Sequence, residues 1–190
     1  KYPDVSVQLQ VHSTRRTGWS VANGQIDLAI IGGQLPSDLE NLLQVIPYAT
    51  DELALVLPTT HPLSQKKELL KEDLYKLNFV TLDSQSTTRK VVDKLLQDSG
   101  LEIQRLKIEM ELNSLEAIKN AVQSGLGASF LPVVSIEREL AAGTIHKAFV
   151  ADLEVKRELK LITNPSRYTS RASEVFKKNI LPQFASFESP

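Results

Sequence analysis

The chain of 190 residues contains no cysteine, one methionine and one tryptophan. Without cysteine there is no disulfide framework and no thiolate metal site, which fits a reducing compartment. Histidine is nearly as scarce. His12, His61 and His146 stand apart from one another, outside any ligand spacing, so no metal is expected; His61, beside Pro62, reads as a turn residue. Neither sign of charge prevails: 22 basic residues face 23 acidic ones, a net charge of −1. Such a balance gives no electrostatic footprint for nucleic acid on this chain. No apolar run nears the roughly 18 residues that a membrane span requires, and residues 1–4 do not open a signal peptide, so the chain reads as soluble. A nucleophile elbow and a catalytic pair of carboxylates are missing as well, and no enzyme is expected.

What is present is a 42% share of hydrophobic residues, enough for a sizeable core in one domain or two small ones. Two segments match each other: GQIDLAIIGG at 24–33 and SGLGASFLP at 124–132. In each, a helical pattern stops at a glycine, Gly24 or Gly125, which tolerates the left-handed backbone of a helix stop. A near-continuous apolar run follows, at 28–31 or 128–131, as expected of parallel strands buried on both faces. The fold class predicted is α/β with two lobes, and two lobes make a cleft that can hold a small molecule.

Periodicity fills in the rest. Val5, Val7, Leu9 and Val11 alternate with polar residues as a strand with one buried face. Residues 17–23 make a short helix with Trp19 and Ala22 inward; core is the default for a large aromatic, and a wall of the cleft is the alternative for Trp19. Strands are expected at 52–57, closed by Pro58, and at 79–82. A helix over 87–99 carries Val91, Val92, Leu95 and Leu96 on one face, and Ile108, Met110 and Leu112 alternate as a strand. Asn113 with Glu116 three residues on reads as a capping box, starting a helix whose stripe is Leu115, Ile118 and Val122. A helix at 135–142, strands at 145–150 and 159–162, and a C-terminal helix at 170–180 complete the chain.

The best candidate for chemistry is Asp83-Ser84-Gln85-Ser86-Thr87-Thr88-Arg89. A helix start offers unpaired N–H groups and partial positive charge, and the hydroxyls and Arg89 add donors, so the segment suits an anion. Ordinary capping by Ser84 or Ser86 is the alternative. A second candidate is Ser13-Thr14-Arg15-Arg16, between a strand and a helix, where arginine supplies a planar, always charged fork; a solvated basic turn is the alternative. Asn113 and Ser114 form a third, although the capping box alone would explain Asn113. Gly125, Gly127 and Ser129 invite a dinucleotide reading, which fails because Phe130 falls near the third glycine's place and the strand follows instead of preceding.

DLAIIGG, YATDELALVLPTTHPL (48–63), DLYKLNFVTLD (73–83) and AVQSGLGASFLP (121–132) together resemble the effector-binding domain of LysR-type transcriptional regulators. Within that family, VHSTRRTGWSVANGQIDLAIIGG most resembles the regulators of carbon-fixation and inorganic-carbon genes in cyanobacteria, plastids and autotrophic bacteria. The resemblance implies two Rossmann-like lobes, similar to periplasmic binding proteins, with the chain crossing twice, near Val80 and Leu161. Lobe one would then be 1–79 plus 161–190, and lobe two 80–160. The family's domain opens with a further strand, a Ser/Thr-rich loop and a helix, and carries a winged helix-turn-helix upstream; neither is found here, so the chain reads as a fragment.

As to function, the resemblance implies an effector-sensing domain that takes a small anionic metabolite in the interlobe cleft. Ser13, Thr14, Arg16, Ser84, Gln85, Ser86, Thr87, Thr88, Arg89, Asn113 and Ser114 are the expected contacts. Candidate effectors are 2-phosphoglycolate, ribulose 1,5-bisphosphate and 2-oxoglutarate, with no cofactor. A homodimer of this domain, a tetramer of the full-length protein, DNA contact only through the winged helix-turn-helix, no membrane, and a place in the cytoplasm or plastid stroma complete the expectation. A periplasmic-type solute-binding protein shares the architecture and is the alternative; it predicts a secretory signal. A two-lobed enzyme is a third, weakened by the missing catalytic constellation.

Overall fold

The computed structural model describes residues 5–179 and 181–184. Its elements run α1 (Thr14–Ala22), β1 (Leu28–Ile31), α2 (Ser37–Glu40), β2 (Gln44–Pro58), β3 (Asn78–Leu82), α3 (Thr87–Asp98), β4 (Lys107–Leu112), α4 (Leu115–Gln123), β5 (Ser129–Pro132), α5 (Val133–Ala141), β6 (Ile145–Ala148), β7 (Lys156–Thr163) and α6 (Arg171–Asn179). The expected C-terminal helix is α6, with Ile180 outside the described residues. The chain folds into two compact units, Lys1–Thr50 with Glu158–Pro190, and Asp51–Arg157. It passes between them twice, the first time at Asp51, well before Val80, and the second at Arg157. The cause is β2: its second half sends Leu53, Leu55 and Leu57 into the same core as Phe79 and Leu96, which assigns it to the second unit.

In the first unit, Val21, Ile31, Leu39, Leu43 and Ile162 form the core. Gly24 turns the chain after α1 with φ +71°. Three expectations fail in this unit. β1 pairs antiparallel with β7, Leu28 opposite Thr163, instead of lying in a parallel sheet, and Ile30 is 41% exposed. The alternating segment at 5–11 forms no strand, and Leu9 is 88% exposed; no strand among the described residues pairs with it, and an extended segment without a ladder gains nothing from alternation. Trp19 is 37% exposed and outside the core. Gly18 takes the inward place instead, so close to α2 that a Cβ there would come within 2.8 Å of Leu39 Cδ1.

The second unit is a sheet in the order β4-β3-β5-β2-β6. β3 and β4 pair in parallel from Asn78↔Lys107 to Leu82↔Leu112. Ala128, the residue before β5, joins β3 by a parallel bridge to Phe79, and β5 runs antiparallel to β2, which pairs with β6 on its other side. Successive residues of β2 serve opposite faces, as a period of two demands: Leu53, Leu55 and Leu57 meet Val92 and Leu96 of α3, while Ala54 and Val56 meet Ile118 and Val122 of α4 and Ile136 of α5. A strand covered on both sides carries apolar residues at every position, which is why 53–57 reads as a continuous hydrophobic run. Helices on both faces of a sheet with a parallel core make this unit α/β.

Candidate functional site

In open α/β sheets ligands collect beyond the carboxyl ends of parallel strands. Here β3 and β4 end side by side at Leu82 and Leu112, and each leads into a helix, α3 or α4. The two connecting turns are joined: the Asp83 N–H donates to the Leu112 carbonyl at 3.0 Å. The structure thus brings the first and third candidate segments to one edge of one unit.

The turn into α3 is tight. The Gln85 N–H donates to Asp83 Oδ1 at 2.9 Å and the Ser86 N–H to the Asp83 carbonyl at 2.9 Å. Ser86 is the N-cap, yet its side chain caps nothing. The first amide to return into the helix is that of Lys90, to the Ser86 carbonyl at 3.1 Å. The Thr87, Thr88 and Arg89 amides therefore have no hydrogen-bond partner among the described residues, at the positive end of a helix of 12 residues. Ser84 and Gln85 are exposed; Ser86, Thr87, Thr88 and Arg89 are half-buried.

Arg89 is not the freely displayed cation that the sequence suggests. Its side chain is 11% exposed. Nε donates to both Asp93 oxygens at 2.8 Å, and Nη1 donates to Thr81 Oγ1 at 2.6 Å and Glu111 Oε1 at 3.4 Å. Nη2 alone makes no hydrogen bond to a described residue. Arg89 therefore ties α3 to β3 and β4 and retains one free arm. A cavity of about 400 Å³, counted to its open mouth, is lined by Thr88 and Arg89 on the helix side and by Phe79, Ile108 and Phe130 on the strand side.

Thr88 leads to two residues that the sequence does not single out. Its Oγ1 accepts from Arg157 Nη1 at 2.9 Å, and Arg157 grips Asp51 Oδ2 through Nε at 2.8 Å and Nη2 at 2.6 Å. Both ends are shielded, Arg157 14% and Asp51 6% exposed in their side chains. More than a hundred positions separate them in the chain, so no local pattern announces the pair.

At α4 the cap is Ser114, not Asn113. Ser114 Oγ accepts from the Ala117 N–H at 3.5 Å, a long bond. Glu116 turns to Lys119 at 2.8 Å instead of closing a box, because Lys119 is buried and needs that carboxylate. Lys119 also meets Glu139 at 2.8 Å, and these hydrogen bonds, Glu116 first, raise its pKa. Asn113 is exposed. At α1, in the other unit, Ser13 Oγ accepts from the Arg16 N–H at 3.5 Å. Thr14 is buried in α1. Arg15 lies 3.9 Å from Asp38, and Arg16 is exposed without an ion pair among the described residues. Of the three helix starts, α3 alone has no side chain over its first amides. Among the described residues no group of histidine and carboxylate could hold a metal, and no helix is long and apolar enough to cross a membrane.

Residues 1–185 match the LysR substrate binding domain. The chain belongs to this family. It is 60% identical over 97% of its length to a probable RuBisCO transcriptional regulator of Synechocystis and 58% identical over 97% to one of Porphyra purpurea. It covers 54% and 58% of these two proteins, so the LysR domain spans about half the length of the curated relatives it matches. These relatives are named as transcriptional regulators, not enzymes. Among solved structures it is similar to the CcmR regulatory domain of Synechocystis in complex with 2-PG, with a TM-score of 0.83, 23% identity and coverage of 98% of this chain and 86% of that one. The effector-binding domain of QuiR with shikimate follows at a TM-score of 0.74 and 21% identity, covering 92% and 78%. The fold is thus that of LysR effector-binding domains, as DLAIIGG and AVQSGLGASFLP suggest.

Proposed function

We propose that this LysR domain is the effector-sensing part of a transcription regulator of carbon-assimilation genes, and that the effector is a small anionic metabolite seated at the start of α3. The observation that carries the reading is the uncapped first turn: the amides of Thr87, Thr88 and Arg89 lack partners among the described residues, and Ser84, Ser86, Thr87 and Thr88 bring hydroxyls to the same stretch of chain. Amides aimed from a helix N-terminus favour a phosphate or carboxylate, and Arg89 Nη2 adds a charged donor. The names of the relatives, RuBisCO transcriptional regulators, support the target genes, and the 2-PG complex of the similar CcmR domain supports the ligand class. The candidates are 2-phosphoglycolate, ribulose 1,5-bisphosphate and 2-oxoglutarate, with Ser114 and Asn113 on the neighbouring turn as further contacts. Ser13 and Arg16 serve as capping and solvated residues of α1.

In this reading the domain forms homodimers, the whole regulator a tetramer, and DNA is met by a winged helix-turn-helix outside this chain, in the cytoplasm or plastid stroma. The ligand acts only through binding one arrangement better than another. Isothermal titration tests the site. Thr88→Val, which removes one hydroxyl donor of the turn, is expected to weaken binding of the preferred metabolite about tenfold, and Arg89→Ala at least as much; Ser13→Ala is expected to leave affinity within about twofold, since Ser13 only caps its own helix. Unchanged affinity in Thr88→Val and Arg89→Ala would move the site elsewhere.

A further inference from the structure

Asp51 and Arg157 are the first and last residues of the second unit, the points where the chain enters and leaves it, and they are the two members of one shielded ion pair. The strands meet here in the backbone as well: the Leu53 N–H donates to the Val155 carbonyl at 2.8 Å. Burying such a pair contributes little net stability, because the loss of hydration offsets the attraction. Packing alone would be served as well by apolar side chains. What the pair adds is connection, since the same guanidinium donates to Thr88 Oγ1 in the first turn of α3.

The chemistry of that contact matters. Thr88 accepts from Arg157, so its own hydroxyl proton is directed elsewhere, and no described residue takes it. An anion at the α3 start can accept it. The chain of hydrogen bonds then runs from anion to Thr88 to Arg157 to Asp51, and each donor in such a chain strengthens the next. Arg89, the neighbour of Thr88, ties the same turn to Thr81 of β3 and, more weakly, to Glu111 of β4. The turn is thereby held on two sides, by Arg89 to the parallel strands and by Arg157 to the crossing strands.

We propose that Arg157 is the positioning residue of the effector site: it locks the first turn of α3 to β2 and β7 where they cross between the units, so that occupancy of the turn is transmitted to those strands. This rests on the reading of the α3 start as the anion site.

The test uses amide hydrogen exchange at Leu53, whose N–H bridges the two strands, in the protein, in Thr88→Val, in Arg157→Lys and in the double variant. Lysine keeps the charge but lacks the planar fork that holds Asp51 through one edge and Thr88 through the opposite nitrogen. Without ligand, Thr88→Val is expected to speed Leu53 exchange about threefold or more, the scale of coupling between residues of one network, and to add nothing when residue 157 is already lysine. With 2-phosphoglycolate, exchange at Leu53 is expected to slow in the protein and to stay unchanged in Arg157→Lys. Should Arg157→Lys fail to fold, Arg157→Gln, whose shorter amide likewise cannot hold Asp51 and Thr88 together, takes its place with the same expectation. An equal effect of Thr88→Val in both backgrounds would overturn the proposal. If the ligand-free cycle behaves as expected while calorimetry detects no metabolite binding, the lock stands and the assignment of the effector falls.

Discussion

Asp73 shows how far one carboxylate can shape the response of this domain to acid. It is buried, yet it accepts from Lys76 Nζ at 2.7 Å, from the Leu70 N–H at 3.1 Å and from Lys66 Nζ at 3.1 Å. These bonds, Lys76 first, hold it far below the usual carboxylate range. A carboxyl depressed in the folded state contributes stability that is complete above the ordinary value near 4 and is lost as pH falls toward the folded value. Asp73→Asn is therefore expected to lower unfolding free energy by about 2 kcal/mol at pH 7, with the difference shrinking in denaturant titrations between pH 4 and 2. A deficit that stays constant across that range would deny the charged bonds their role. No sequence pattern announces this cluster beyond a run of lysines and acids, and the same holds for Arg157 and Asp51: side chains that meet through tertiary structure leave no periodic trace. The place of Thr87, Thr88 and Arg89 at a helix start is legible, because a helix start is a local event.

Elements whose apolar period is complete within their own segment are legible in the sequence, and those that depend on a distant partner are not. β3, α3, β4 and α4 lie within a residue or two of the expected spans, since apolar period and helix stops are set within each segment. The alternation at 5–11 is a true strand pattern, but a strand exists only with a partner, and the sequence cannot show that no described strand pairs with it. The first half of β2 is not legible as a strand because 44–50 lies outside the core, with Val45 and Ile46 exposed. Two elements give direct tests. Ile118 and Val122, both fully buried in α4, are each expected to cost about 2–4 kcal/mol when replaced by alanine, measured by urea unfolding; neutral variants would contradict the packing of α4 on β2. Gly127 marks the approach of β5 to β3: a Cβ would stand 2.6 Å from the Asn78 carbonyl oxygen, which is itself bonded to the Ala128 N–H. Gly127→Ala is expected to cost about 1–3 kcal/mol, and an unchanged midpoint would mean that the bridge between the strands yields.

At the scale of the whole molecule, a LysR domain must convert a small ligand into a change of state, and it can do so only by as much as its affinities for two states differ. The α3 start supplies unpaired donors, Arg89 fixes the turn to the parallel strands, and Arg157 carries it to the crossing strands. In the proposed reading the donors favour an anion, while the choice among phosphate and carboxylate metabolites depends on shape that hydroxyls and amides alone do not encode. The most direct measurement is isothermal titration of the protein with 2-phosphoglycolate, ribulose 1,5-bisphosphate and 2-oxoglutarate in parallel with Thr88→Val. Saturable binding of one metabolite, weakened about tenfold by the substitution, is the predicted result; a folded protein that binds none of the three, or binds one equally well without the Thr88 hydroxyl, would contradict an anionic carbon signal at the start of α3.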